Sequence, residues 1–305
     1  MFMQEVITKQ NGNIAFIEET HKYFDVTNPD AVFTSVTTMI HSYTQPFDKD
    51  FWSAYKALER LLSKDAWNIE KKSLLNTKKF DKVLLDLHNI TENDFNREQQ
   101  AILDEWDNEN RKSCDRGTKI HADLENSFYV KKKDIDISRF EIGGKFVCDK
   151  GRTTLDLENG IYPEYLISRV SEDGKLRIAG QIDLLVKKGN KLIIGDFKTN
   201  KKIETKSFFN QRTKQSVKMK FPLNNLDDTN YWHYCLQLST YAWMLQKYNP
   251  EFEIEDLVMI HFDHEDKMTV YHLPYLKEEV VRMLNHFKKE SSLKASREKR
   301  KPIVY

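Results

Sequence analysis

The sequence predicts an α/β fold, a central mixed sheet flanked by helices, with a helical lobe inserted near the N-terminus. Three observations carry that prediction. Residues 161–198 hold three runs rich in apolar and β-branched residues, separated by tight-turn dipeptides. Runs with helical spacing lie on both sides of them. A short strand-like region at 13–34 precedes a long helical stretch, so the helical stretch interrupts the strands. The 305 residues suit one large domain or a core with one appended lobe.

In chain order, Ile14, Phe16 and Tyr23 lie among turn residues and read as short strands. Ser35-Val36-Thr37 then leads into an apolar stretch that opens a helix. Phe51, Trp52, Tyr55, Leu58, Leu61 and Leu62 recur at helical spacing. After a polar break around Asn89 to Asn96, Ile102, Leu103 and Trp106 continue that pattern. The helix is expected to pause near Ser113-Cys114-Asp115, with a new helix carrying Gly117 to Tyr129. Ile161 to Val170, Leu176 to Val186 and Lys191 to Lys198 form the central strands. A basic, irregular stretch follows to about Asp228, then a helix from Trp232 to Tyr248. Ile254 to Phe262 and Met268 to Leu273 read as two more strands, and Glu278 to Lys289 as a last amphipathic helix. The expected organisation is a strand region at 1–47 joining the core, a helical lobe at 48–112, the core at 113–290 and a basic tail at 291–305.

Composition narrows the class. Apolar residues make up 39% and charged residues 31%, as in globular proteins. No run approaches the ~18 apolar residues of a membrane span, and the first residues lack the pattern of a secretory signal. Cys114, Cys148 and Cys235 are scattered, which argues against a zinc site or disulfide framework and for a reducing, cytoplasmic setting. The net charge of +1 conceals two basic patches. Residues 201–220 carry Lys201, Lys202, Lys206, Arg212, Lys214, Lys218 and Lys220 against Glu204 alone, and 285–305 are similarly biased. Basic patches on an otherwise acidic chain suit a polyanionic partner at defined places. Phe208 and Phe209 interleave with the first patch, as in loops that grip phosphates and stack on bases.

The central strands carry acids where apolar residues belong. Asp173-Gly174 and Gly189-Asn190 suit two-residue hairpin turns, because both dipeptides tolerate positive φ. A turn at Gly189-Asn190 pairs Lys188 with Lys191; carried along the strands, that register sets Asp183 opposite Asp196. A turn at Asp173-Gly174 pairs Glu172 with Lys175 and sets Glu164 opposite Asp183. Side chains alternate with period two, so the three carboxylates share one face with Lys198, two residues past Asp196. Like charges directly opposed on a sheet are unfavourable, and burying them unpaired is costly. A hard divalent ion with oxygen ligands resolves the conflict.

Gly180-Gln181-Ile182-Asp183 and Gly195-Asp196-Phe197-Lys198-Thr199 resemble the motifs of PD-(D/E)XK nucleases. Gly117-Thr118-Lys119-Ile120-His121 resembles the Gly-x-x-x-His motif of the RecB-type branch, and Gln237-Leu238-Ser239-Thr240-Tyr241 its Gln-x-x-x-Tyr helix. All four occur in the expected order, across about residues 113–245. Ser35-Val36-Thr37 followed by a helical lobe is similar to phage exonucleases and to the mitochondrial genome maintenance exonuclease. The resemblance implies a restriction-endonuclease-like core and a Mg²⁺- or Mn²⁺-dependent DNA nuclease with one or two ions. It implies that His121, Asp183, Asp196 and the Phe197 carbonyl bind metal, with Glu164 joining a second ion or positioning water. Lys198 would activate water and stabilise the transition state, and Gln237 and Tyr241 would contact DNA or the lysine. Ser35 and Thr37 would touch DNA phosphates. The four cysteines that hold an iron–sulfur cluster in some relatives are missing, so no cluster is expected.

The leading expectation is an exonuclease acting on single-stranded DNA or DNA ends in phage or bacterial recombination, repair or replication, with a possible protein partner from those processes. The lobe, lying before His121 in the chain, is expected to arch over the site and restrict entry. A structure-specific or restriction-type endonuclease and a catalytically silent DNA-binding protein stay open as alternatives. Retention of all five polar residues, His121, Glu164, Asp183, Asp196 and Lys198, weighs against the silent form.

Overall fold

The computed structural model describes residues 9–130, 145–149, 152–210 and 214–298. The first strands, β1 (Lys9–Asn11), β2 (Ile14–Ile17), β3 (Lys22–Asp25) and β4 (Asn28–Ser35), form an antiparallel meander. Ser35 then ends β4 by capping α1 (Val36–His41), its Oγ accepting from the Thr38 amide at 3.0 Å. This is the ordinary reason serine starts helices: it satisfies an amide that has no partner in the first turn.

Pro46–Lys119 forms one compact unit, and the described residues outside it form another. The helical unit contains α2 (Lys49–Leu61), α3 (Lys64–Thr77), α4 (Val83–Leu87) and the first part of α5 (Glu92–Val130). Asp48 and Ser63 cap α2 and α3. Leu58, Trp67, Leu85 and Ile102 share its apolar interior. The expected pause at Ser113-Cys114-Asp115 does not occur, because α5 runs through it without a break. No proline interrupts the segment, and the single Gly117 costs only ~1 kcal/mol, which neighbouring turns absorb. The polar break expected from Asn89 ends earlier than the sequence suggests, since helix resumes at Glu92.

Among the described residues, the second unit is built on a nine-stranded mixed sheet. Its middle is β7 (Gly160–Val170), β8 (Arg177–Lys188) and β9 (Lys191–Lys198). The turn at Gly189-Asn190 is the expected one: Lys188 pairs with Lys191 and Gly189 has φ +60°. The other hairpin is not closed by two residues. Val170↔Arg177 is its last strand pair, and the Gly174 amide donates to Ser171 O inside a wider loop. Its register is nevertheless the expected one on both sides of Glu164. A hairpin of β5 (Lys145–Asp149) and β6 (Arg152–Asp156), absent from the sequence reading, precedes these strands. The basic stretch after Lys198 also contains a small hairpin, β10 (Phe209–Asn210) with β11 (Gln215–Ser216).

Helix α6 (Asn230–Tyr248) leads to β12 (Glu253–Phe262), parallel to β9, as a helical crossover permits. Strand β13 (Met268–His272) pairs antiparallel with β12, and α7 (Lys277–Glu298) follows. The expected final helix therefore extends beyond Lys289 into the residues assigned to a tail. Nothing between Glu290 and Glu298 is a glycine or proline that would stop it. Val36 and Met39 of α1, Ile182 and Leu185 of β8, Leu238 and Leu245 of α6 and Met283 of α7 share one apolar core.

One irregularity of the sheet positions everything that follows. β7 pairs along one edge of β8. β4 and β9 follow one another along the opposite edge, β4 at Ile178 and Ala179, β9 from Leu184 onward. Among the described residues, no strand pairs with Gly180 to Asp183 on that side.

Candidate active site and metal centre

Asp183 lies at the end of this window. Instead of a backbone rung, its carboxylate completes the sheet: Oδ2 accepts from the Phe197 amide at 2.8 Å. His121, on α5, approaches the same point. Its Nε2 lies 3.0 Å from the Phe197 carbonyl, and its Nδ1 lies 3.5 Å from Asp183 Oδ2 and 3.9 Å from Glu164 Oε1. One ligand atom each from His121, Glu164 and Asp183 fall within 4.8 Å of one another.

Glu164 reaches the cluster through a local break in β7. The pairs Pro163↔Leu184 and Tyr165↔Ile182 are regular, but Glu164 drops out of the ladder with φ +51°. A left-handed conformation at a non-glycine residue is uncommon, costs ~1–3 kcal/mol and concentrates at functional sites. Of the expected row, Glu164 and Asp183 are brought together with His121, Glu164 through this backbone distortion.

Asp196 occupies a different part of the site. Its Oδ2 faces Lys198 Nζ at 2.5 Å, and Oδ1 accepts from Gln237 Nε2 at 3.1 Å. Gln237 also donates to the Tyr241 hydroxyl at 3.4 Å. Both lie on α6, one turn apart, as their spacing requires. Tyr241 is buried against Gly180, where a Cβ would come within 2.5 Å of its ring. The glycine that opens the Gly180-Gln181-Ile182-Asp183 motif is thus needed for Tyr241 to lie beneath the strand. Lys198 Nζ also stands 4.9 Å from the centre of the Tyr234 ring, a cation–π contact absent from the sequence reading. Tyr234 lies three residues before Gln237 on the same helix, so helical spacing could have identified it.

The electrostatics follow from crowding. Burial, and then the neighbouring Asp196 carboxylate, push the Asp183 carboxyl up to about 7. Burial alone would lower Lys198, but Asp196 and Asp183 overcome it and hold the ammonium firmly charged. Burial also opposes charge on His121, yet Glu164 and Asp183 raise it overall. Glu164 is lowered: burial works the other way but is outweighed by His121 and Lys9. Two carboxylates and an imidazole whose atoms converge are a donor set that fits Mg²⁺ or Mn²⁺.

The remaining expected residues are less convergent. Ser35 spends its hydroxyl on the helix cap and on Thr37 and Thr38, while Thr37 is exposed in the first turn of α1. Lys201, Lys202, Lys206 and Lys214 are exposed, with Lys202 near Glu204 at 3.5 Å. Arg212 lies outside the described residues. Phe208 and Phe209 are exposed beside these lysines in sequence.

The sheet and donor set define a class first, an α/β fold with a carboxylate–imidazole cluster and a lysine beside it, suited to metal-assisted hydrolysis. A family model of the PD-(D/E)XK nuclease superfamily matches residues 78–301, and the chain belongs to that superfamily of metal-dependent nucleases. No similar protein was found among curated sequences. Among solved structures, the crystal structure of SSO0001 is similar at 18% identity with a TM-score of 0.25, the match covering 43% of this chain. This chain spans half the length of that protein. No helix among the described residues is long and apolar enough to cross a membrane.

Proposed function

We propose that the chain is a Mg²⁺- or Mn²⁺-dependent deoxyribonuclease of the RecB-type branch, acting as an exonuclease on single-stranded DNA or DNA ends. The observation that carries this reading is the convergence of His121, Glu164 and Asp183 beside the buried Asp196–Lys198 pair. Asp183, Glu164 and His121 would hold the ion, with Asp196 and the Phe197 carbonyl joining them on the family pattern. A bound ion would neutralise phosphate charge and lower the pKa of water.

The chain's own groups do the rest. Gln237 fixes Asp196 from one oxygen and Lys198 holds the other. Lys198, kept charged by Asp196 and Asp183, orients the attacking water and stabilises the charge that grows on the phosphate oxygens. Tyr241 supports Gln237 and does not reach toward substrate, since it is buried. Exposed Lys201, Lys202, Lys206 and Lys214, with Arg212 in the same stretch, bind the DNA backbone, and Phe208 and Phe209 stack on bases. Thr37 and Ser35 add phosphate contacts at the start of α1. Such an activity fits recombination, repair or replication in a bacterial or phage-infected cytoplasm, together with a protein partner of those processes.

The test is degradation of end-labelled linear DNA with Mg²⁺, Mn²⁺ or EDTA, beside covalently closed circular single strands. Loss of linear DNA that needs metal, with circles spared, is the expected result. Cleavage of circles at a similar rate overturns the exonuclease reading in favour of an endonuclease, and activity in EDTA overturns the metal.

A further inference from the structure

Lys198 has a neighbour besides Asp196, and a chain of contacts leads away from it that the chemistry above does not use. Strand β9 ends at Lys198, whose pairing with His261 is the last rung between β9 and β12. The His261 side chain takes over where the ladder stops. It is buried, and its Nε2 lies 2.6 Å from the Asn200 carbonyl, two residues past the strand. A carbonyl only accepts, so Nε2 donates and carries the ring proton. The Asn200 side chain in turn accepts, through Oδ1, from the Tyr234 hydroxyl on α6. The Lys198 ammonium stands over the Tyr234 ring, 4.9 Å from its centre. The next residues are fastened to the same helix. Asn230 donates to the Lys202 carbonyl and accepts from the Glu204 amide, each at 2.8 Å.

A lysine stem turns about several bonds, and the ion pair with Asp196 restrains only its tip. The face of an aromatic ring attracts an ammonium, but only where the ring is aimed at it. Here the hydroxyl bond to Asn200 aims the ring. Asn200 is exposed, so packing does not fix it. The His261 bond does, at the point where the strand no longer can.

We infer that Tyr234, Asn200 and His261 form a positioning relay for the Lys198 ammonium: His261 fixes the chain as it leaves β9, Asn200 sets the Tyr234 ring, and the ring confines the charge beside Asp196. The three residues act on the reaction through Lys198. The inference rests on the nuclease reading above, in which Lys198 orients the attacking water, and its test separates the two.

Rates on end-labelled linear DNA with Mn²⁺ are measured first. Tyr234→Phe, Asn200→Ala and His261→Leu each lower kcat by about 10-fold with KM little changed, because the lysine acts in the transition state. His261→Gln, which keeps an N–H donor, recovers most of that loss. In a Lys198→Ala background Tyr234→Phe costs nothing further. Should Lys198→Ala lose its fold by circular dichroism, Lys198→Met replaces it. The second readout is nuclear magnetic resonance of the metal-free chain carrying ¹³C at lysine Cε. The Lys198 signal, identified by its loss in the Lys198 variant, is shifted upfield by the ring and moves toward the exposed lysines in Asn200→Ala. A further loss in the Lys198→Ala background, a rise in KM in place of the fall in kcat, or a Lys198 signal unmoved in Asn200→Ala overturns the relay and leaves the nuclease reading intact. A wild-type chain that cuts no DNA with any metal removes that reading instead, while the metal-free signal still decides whether the relay places Lys198.

Discussion

Arg60 in the helical unit and Lys198 in the sheet each face carboxylates, but under opposite conditions. Arg60 meets Glu98 at 3.0 Å and Glu105 at 2.7 Å, with Arg60 and Glu105 exposed and Glu98 half-buried. Lys198 meets Asp196 at 2.5 Å with the aspartate only 2% exposed and a second buried acid, Asp183, nearby. By distance alone the two arrangements are equals. Water screens the first, so it adds little and constrains nothing around it. The second leaves a charge stranded if either member goes, so its surroundings must be built to match: Gln237 on the free oxygen, Tyr241 beneath, Gly180 to admit the ring. Ion-pair geometry therefore does not mark a site. Burial, with a hydrogen-bond network fitted around it, does.

That contrast can be broken in several places. Lys198→Ala and Asp196→Ala are expected to lower kcat on linear DNA by about 10²–10³-fold. Each also leaves its partner buried without a counter-charge, so circular dichroism should accompany the rate measurement. Wild-type rates in either folded variant would show the pair to be merely structural.

Asp183→Asn separates stability from function. In EDTA at pH 8 it should raise stability by on the order of 2–4 kcal/mol, because a buried acid held at about 7 is ionised there at a cost. Mn²⁺ binding should fall together with that gain. An unchanged melting temperature would mean that the carboxylates do not strain the metal-free fold.

The same group sets a pH dependence. The folded protein holds the Asp183 proton more tightly than the unfolded chain, whose value is 3.8. Its contribution to stability is thus complete below about pH 4 and lost as pH rises through about 7. His121, also raised, acts in the same sense. The rise in Tm on adding Mn²⁺ should consequently be larger at pH 8 than at pH 6, as differential scanning fluorimetry can check.

Gly180→Ala should destabilise by about 1–3 kcal/mol through overpacking against Tyr241. Much of that loss should disappear when Tyr241 is shortened to Leu, a coupling that denaturant unfolding of the four chains would measure. The smallest effect belongs to Arg60→Ala, for which DNA cleavage and Tm should stay close to wild type.

What the sequence disclosed and what it concealed divide along similar lines. Gly189-Asn190 closes a two-residue turn, so counting along the strands gives the β8–β9 register as far as Leu184↔Gly195; beyond that pair the ladder stops, and the Asp183 carboxylate accepts from the Phe197 amide instead. The Asp173-Gly174 hairpin closes differently, yet its register agrees because the wider loop adds residues equally to both strands. His121, Gln237 and Tyr241 were legible because helical spacing and motif order coincide. Glu164 was legible as a member of the row but not as a residue with positive φ, since nothing in its neighbours announces a left-handed backbone. Lys9 was invisible: it lies 155 residues from Glu164, and only the folding of β1 against β7 brings them together. The unbroken course of α5 was misread because a polar helix surface and a loop have similar compositions.

Ser35 has a consequence beyond its hydroxyl. If β4 continued in register past Ser35↔Ala179, Val36 would fall beside Gly180, and the following residues would advance toward Asp183. Instead the serine turns the chain into a helix, and among the described residues no strand pairs with the four positions from Gly180 to Asp183 on that edge of β8. A single side chain thus works as a doorstop: by ending one strand on time it keeps another from being zipped shut.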